Sequence, residues 1–160
     1  MGGGGSGPGP IGDLESLIAR AKEKLRTSEQ EGRRNVFLSF AYEDIAYVNL
    51  LRGQARNDNL PIEFNDWSVS EPIDSERANY IREKIADRIM QSSVTVVFLS
   101  EHSAKSRWVD WEIRESVRQG KHVIGVHPKG AQPPAHPTFH ELGLQTVPWP
   151  DLPRALNDLK

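Results

Sequence analysis

The run Val94-Thr95-Val96-Val97-Phe98-Leu99 constrains the fold more than any other part of the chain, because it is apolar almost throughout. A strand with one wet face alternates polar and apolar residues. A continuous apolar run instead fits a central parallel strand covered on both faces. Two further short runs, Val36-Phe37-Leu38-Ser39-Phe40 and His122-Val123-Ile124-Gly125-Val126, read as buried strands, and Pro61-Ile62-Glu63-Phe64 as a weaker one. Between them the apolar period changes to that of a helix. Ile45, Val48, Leu51 and Ala55 mark one helix over 44–56, and Ile81, Ile85 and Ile89 mark another behind an Asp74 cap. A third helix is expected over 106–119, stopped by Gly120. Past a Pro-rich loop at 128–137, residues 142–147 suit a last short strand, and Asp151 caps a closing helix over 152–159.

This alternation implies an α/β fold, with an open parallel sheet and helices on both faces. Five strands make it a flavodoxin-like three-layer sandwich with strand order 2-1-3-4-5. Ligands of such sheets bind at the carboxyl ends of the strands, near the point where the order reverses. Here that end carries the loops after Phe40, Phe64 and Leu99.

A length of 160 residues suits one core. Residues 1–10, MGGGGSGPGP, read as a flexible linker or expression scar. Residues 11–34 hold an amphipathic helix and a link: Asp13 is its expected cap, and Leu14, Leu17, Ile18, Ala21 and Leu25 form one stripe. Docking of that stripe on its own chain is favoured over self-association. The domain proper is expected at 35–160.

The 20 Lys and Arg against 22 Asp and Glu, net −2, show no electrostatic footprint for nucleic acid. The absence of cysteine excludes disulfides, thiolate nucleophiles and Cys-ligated metals. No apolar run of membrane-spanning length and no signal peptide are seen, so the expectation is a soluble, cytoplasmic protein with no membrane partner. Phosphate loops of the GxxxxGK[ST] or GxGxxG type and the GxSxG elbow are missing. Leu99-Ser100-Glu101 stands where a response regulator needs an aspartate. His136 and His140 have a metal-compatible i, i+4 spacing. Pro137 between them favours a solvated loop, and no metal is expected.

The informative segment is 103–115. On a helix, Val109, Ile113 and Ser116 share the sheet-facing stripe, with Val117 beside it. Trp108, Glu112 and Glu115 lie together on the adjacent shoulder. Glu112 is then a carboxylate beside an indole, near the core edge, at the ligand end of the sheet. Such a setting tunes a carboxylate and aims its charge. An ordinary amphipathic helix with a surface glutamate gives the same spacing.

NVFLSFAY (35–42), SVTVVFLS (93–100) and SRWVDWEI (106–113) together resemble a Toll/interleukin-1 receptor (TIR) domain. The Trp-x-x-x-Glu spacing of Trp108 and Glu112 is similar to that family's catalytic-glutamate motif. GKHVIGVH (120–127) resembles the stand-alone bacterial TIR-like proteins, including the signal-making component of Thoeris antiphage defence. The similarity covers 35–127. Val109 replaces the cysteine often found after the tryptophan. The loop at 65–73 lacks the Arg-Asp…Pro-Gly pattern of animal receptors, which counts against an animal-type adaptor.

The resemblance implies an enzyme that cleaves the nicotinamide–ribose bond of NAD⁺, with NAD⁺ as substrate and no other cofactor. The product is ADP-ribose or a cyclic isomer. Glu112 is the implied catalytic residue. Ser39, Phe40, Ala41, Tyr42, Asp66, Trp67 and Trp108 are the implied substrate-binding set, with Trp108 packed beneath Glu112 rather than touching substrate. Implied partners are other TIR domains, including copies of this chain, and a separate effector that responds to the product. A non-enzymatic TIR scaffold and a nucleoside deoxyribosyl transferase are the competing readings.

Overall fold

A computed structural model describes residues 10–30, 33–65 and 73–159, without the side chains of 10–13 and 28–30. Five strands, β1 (Arg34–Ser39), β2 (Ile62–Phe64), β3 (Val94–Phe98), β4 (His122–His127) and β5 (Gln145–Pro148), form one parallel sheet in the expected order 2-1-3-4-5. Every residue of β3 is buried, as its composition requires of a strand with a neighbour on each side and a helical layer on each face.

The pleat sorts the core into two layers. Val36, Leu38, Val96, Phe98, Ile124 and Val126 face α2 (Ile45–Asn57) and α7 (Leu152–Asn157). On the other face Phe37 meets α3 (Ala78–Met90) through Ile81, Ile85 and Ile89. Beside it Val97, Leu99 and Val123 pack on Val109 and Ile113 of α5 (Arg107–Arg118) and on Phe139 of α6 (Pro137–Leu142). Full burial of such side chains is worth roughly 1.5–3 kcal/mol each. Gly125, in the middle of β4, is needed for this layer to close. A Cβ there would lie 2.5 Å from the Phe139 ring and 2.7 Å from Leu99.

α1 (Pro10–Gln30) begins ahead of its expected cap, and the Asp13 side chain lies outside the described residues. It packs on β1 and α3 of its own chain, with Ala21 buried and Lys24 Nζ 3.4 Å from Glu63 Oε1. Leu14 and Ile18 stay exposed.

Local chemistry alters several expected boundaries. The helix expected over 106–119 is α5, and a further short helix, α4 (Glu101–Lys105), precedes it, because two serines cap in succession. The Ser100 hydroxyl accepts from the Ser103 amide and the Ser103 hydroxyl accepts from the Ser100 amide, both at 2.9 Å. Ser106 then accepts from the Val109 amide at 3.1 Å. Gly120, at φ +77°, ends α5 as expected. Between the Pro-rich loop and the last strand lies a helix that was not expected, α6, and the strand starts at Gln145 rather than 142. Pro137 starts α6, where its missing N–H costs nothing, and Gly143 at φ +62° stops it. Neither Asp74 nor Asp151 caps a helix through its side chain: α3 starts after Arg77, and α7 ends at Asn157. Among the described residues no helix is long and apolar enough to cross a membrane.

Candidate active site

Glu112 reaches its place because α5 is fastened to the sheet beneath it. Val109, Ile113 and Ser116 are fully buried toward the sheet, as the spacing requires. The Ser116 hydroxyl donates to the Glu112 carbonyl at 2.7 Å and lies 2.7 Å from Oγ1 of Thr95, the second residue of β3. This pair fixes the helix in rotation and along its axis, and it turns the Glu112 side chain toward β1. There the Ser39 hydroxyl, on the last residue of that strand, donates to Glu112 Oε1 at 2.6 Å. Ser39 is 1% exposed and Glu112 4%, so the carboxylate is sunk deeper than a helix shoulder.

Trp108, one turn before Glu112, is buried in the α3 layer with Phe37, Ile81 and Ile85. Its ring meets Trp111 edge-on at 6.2 Å, with the Arg82 guanidinium 5.8 Å from its centroid. Glu115, one turn after, is buried as well. Burial alone would push its carboxyl up, but hydrogen bonds from Arg118 and Gln119 and the Arg118 charge hold it below the usual carboxylate range. Gln119 also donates to the Ala86 carbonyl at 3.1 Å, so Glu115 serves the seam between α5 and α3.

The residues after β1 diverge. Ser39 faces α5, whereas Phe40 turns to the opposite layer under the Arg52 guanidinium, 5.4 Å from its ring centroid. Ala41 is buried, and Tyr42 is half exposed at the start of a 3₁₀ turn. Asp66 and Trp67 lie outside the described residues.

Sequence reasoning missed Asp44, whose Oδ2 accepts from the Ser100 hydroxyl at 2.5 Å. The bond ties the turn after β1 to the turn after β3, at the end of the sheet that carries Glu112. The Ser100-x-x-Ser103 spacing was the available signal for half of it; the Asp44 partner had none. His127, buried at the end of β4, was also missed; its Nδ1 lies 3.1 Å from the Pro128 carbonyl.

On the far flank of α5, Thr138 donates to Asp110 Oδ1 at 2.6 Å, and Arg114 bridges Asp110 and Glu141. Burial would raise Asp110, but Thr138 and Arg114 hold it below its ordinary value. His136 is not in a solvated loop, as expected from Pro137. It is 6% exposed and packed edge-on against Phe139 at 5.2 Å, and burial pushes its imidazole below the ordinary histidine value. His140 is exposed on α6. Among the described residues no three His, Asp or Glu side chains are grouped to hold a metal. A cavity of about 480 Å³ lies at the amino ends of β1 and β2, beside Arg34, Asn35 and Ile62, the opposite end from Glu112.

The arrangement is therefore a buried carboxylate at the carboxyl end of the sheet, held by a hydroxyl donor from the neighbouring strand. The family described as "Thoeris protein ThsB, TIR-like domain" matches residues 37–133, a span that includes Ser39, Asp44 and Glu112. A protein of Bacillus cereus (strain MSX-D12) named "Putative cyclic ADP-D-ribose synthase ThsB1" is 28% identical over 98 residues. That alignment takes in 59% of this chain and 51% of the relative, so the chain spans about half the length of the curated relative it matches. The solved structure of the Clostridium botulinum CMP N-glycosidase BcmB aligns over 78% of this chain and 99% of that one, with a TM-score of 0.44 and 14% identity.

Proposed function

The chain belongs to the TIR-like domain family of the Thoeris protein ThsB, and from that premise we propose that it cleaves the nicotinamide–ribose bond of NAD⁺. The observation that carries this reading is Glu112, a buried carboxylate held by Ser39 at 2.6 Å at the carboxyl end of the sheet. The name of the Bacillus cereus relative gives cyclic ADP-D-ribose, a product that cleavage of this bond can yield.

Breaking this bond builds positive, oxocarbenium-like charge on the ribose. Nicotinamide is already a good leaving group, so no general acid is required. An ionised Glu112 positions the ribose hydroxyls and stabilises the charge as it develops, without reorganising. Trp108, one turn before Glu112, helps to hold α5 in place by packing into the α3 layer, and Asp66 and Trp67 complete the substrate side. Water as acceptor gives ADP-ribose, and a hydroxyl of the same molecule gives a cyclic isomer. The choice follows from how well the closed site excludes water. The product serves as a defence signal to a separate effector, and assembly with further copies supports turnover.

The test is incubation of the purified protein with NAD⁺ over a range of protein concentrations, following nicotinamide release and the mass and retention of the ribosyl product. Release that disappears in Glu112→Gln supports the reading. No release at any concentration from folded protein overturns it in favour of a TIR scaffold.

A further inference from the structure

We propose that Ser39 is a positioning residue for Glu112 and not a contact for the substrate. The inference rests on the reading of Glu112 as the reacting carboxylate. Ser39 ends β1 in register with Val97 of β3, so the sheet fixes the direction of its side chain. A serine hydroxyl has one proton to donate. Here that proton points to Glu112 Oε1 at 2.6 Å, the length of a charge-assisted O–H···O⁻ bond. It is not available to a ribose hydroxyl at the same time.

The carboxylate is thus held from two strands. The Thr95–Ser116 pair fixes the main chain at Glu112 from β3, and Ser39 fixes one carboxylate oxygen from β1. Both partners are buried, so water does not compete for the bond. A hydroxyl donor favours the ionised form of the acid it bonds and holds one rotamer. A charged, pre-aimed carboxylate is what an oxocarbenium-like transition state uses, whereas the ground state gains little from it.

A positioning role and a substrate contact differ in what Ser39→Ala changes. Positioning predicts a kcat about tenfold to a hundredfold lower with KM nearly unchanged, since a hydrogen bond to a charged group is at stake. It also predicts that the acidic limb of the pH–rate profile moves to higher pH, and that Ser39→Thr restores both. A KM increase with an unmoved acidic limb overturns it. Circular dichroism melting checks that the variants are folded.

A second measurement needs no turnover. In protein carrying carboxyl-labelled ¹³C glutamate, the Glu112 resonance is the one lost in Glu112→Gln. Its titration midpoint should rise in Ser39→Ala; an unchanged midpoint overturns the proposal even in an active enzyme. Wild-type protein that releases no nicotinamide while its Glu112 midpoint responds to Ser39 sinks the NAD⁺ reading and the catalytic use of the pair, but leaves the pair itself established.

Discussion

The Ser100 hydroxyl donates to Asp44 Oδ2 at 2.5 Å, joining two turns that are 56 residues apart in the chain. Ser100 also closes the capping box of α4, so a single side chain serves a helix start and a loop-to-loop tie. Asp44→Ala removes the acceptor and frees the turn after β1 from the turn after β3. A loss of about 1.5–3 kcal/mol is expected in urea unfolding, the range for a hydrogen bond to a charged group. Nicotinamide release should fall with it, and Ser100→Ala should reproduce most of the effect. Unchanged stability in both variants would show that the tie carries no energy.

Glu112→Gln and Glu112→Ala should separate chemistry from folding. Glutamine keeps the volume and an oxygen for Ser39 to donate to, so its melting temperature should stay near that of the wild type while turnover drops at least about a hundredfold. Alanine leaves the Ser39 hydroxyl unpartnered and a void at a position only 4% exposed, and should cost roughly 1–3 kcal/mol besides. Comparable turnover in Glu112→Gln and wild type would end the catalytic assignment.

Gly125→Ala tests the close approach of α6 to β4. The added methyl would lie 2.5 Å from the Phe139 ring, which is itself buried, and 2.7 Å from Leu99. Overpacking of this kind costs about 1–3 kcal/mol. Adding Phe139→Leu should recover part of the loss; a neutral Gly125→Ala would show that the layer repacks freely.

His136 sets a pH dependence of stability. Its imidazole, pushed down by burial, is neutral in the fold over a range where the unfolded chain, at about 6.5, already takes up a proton. The neutral form therefore stabilises the protein fully above about pH 6.5, and this is lost as pH falls through the lowered folded-state value. Asp110, Glu115 and Glu141 are also held down, so their contribution is lost in a separate, more acidic window, below the ordinary carboxylate range. Denaturant midpoints between pH 7 and 5 should fall in the wild type and flatten in His136→Phe. An equal slope in both proteins would remove His136 as the cause.

Much of the architecture was legible because it depends on local pattern. The apolar run at 94–99 demanded cover on both faces, and period-2 runs alternating with period-3.6 stripes led to the 2-1-3-4-5 sheet. The spacing of Val109, Ile113 and Ser116 placed α5 on the sheet, and all three are fully buried there. Gly120 ended its helix where a positive φ was needed. The short helices were harder. Five residues of α4 and six of α6 carry too few apolar positions to show a period, and they exist because serine caps, Pro137 and Gly143 meet the main-chain groups that a helix end leaves unpaired.

Tertiary structure decided which polar atoms meet. Ser39 and Glu112 are 73 residues apart, Asp44 and Ser100 56, and Thr95 and Ser116 21. None of these pairs leaves a trace in periodicity, because a hydroxyl suits a strand end or a helix face whether or not an acceptor waits across the layer. The pleat sent Ser39 to Glu112 and Phe40 to Arg52, although the two residues are neighbours in the chain. Sequence by itself determined which residue types stand at the carboxyl end of the sheet. Packing of α5 onto three strands at once determined their distances, because only a rigid layered fold can hold a carboxylate and a hydroxyl at 2.6 Å away from water.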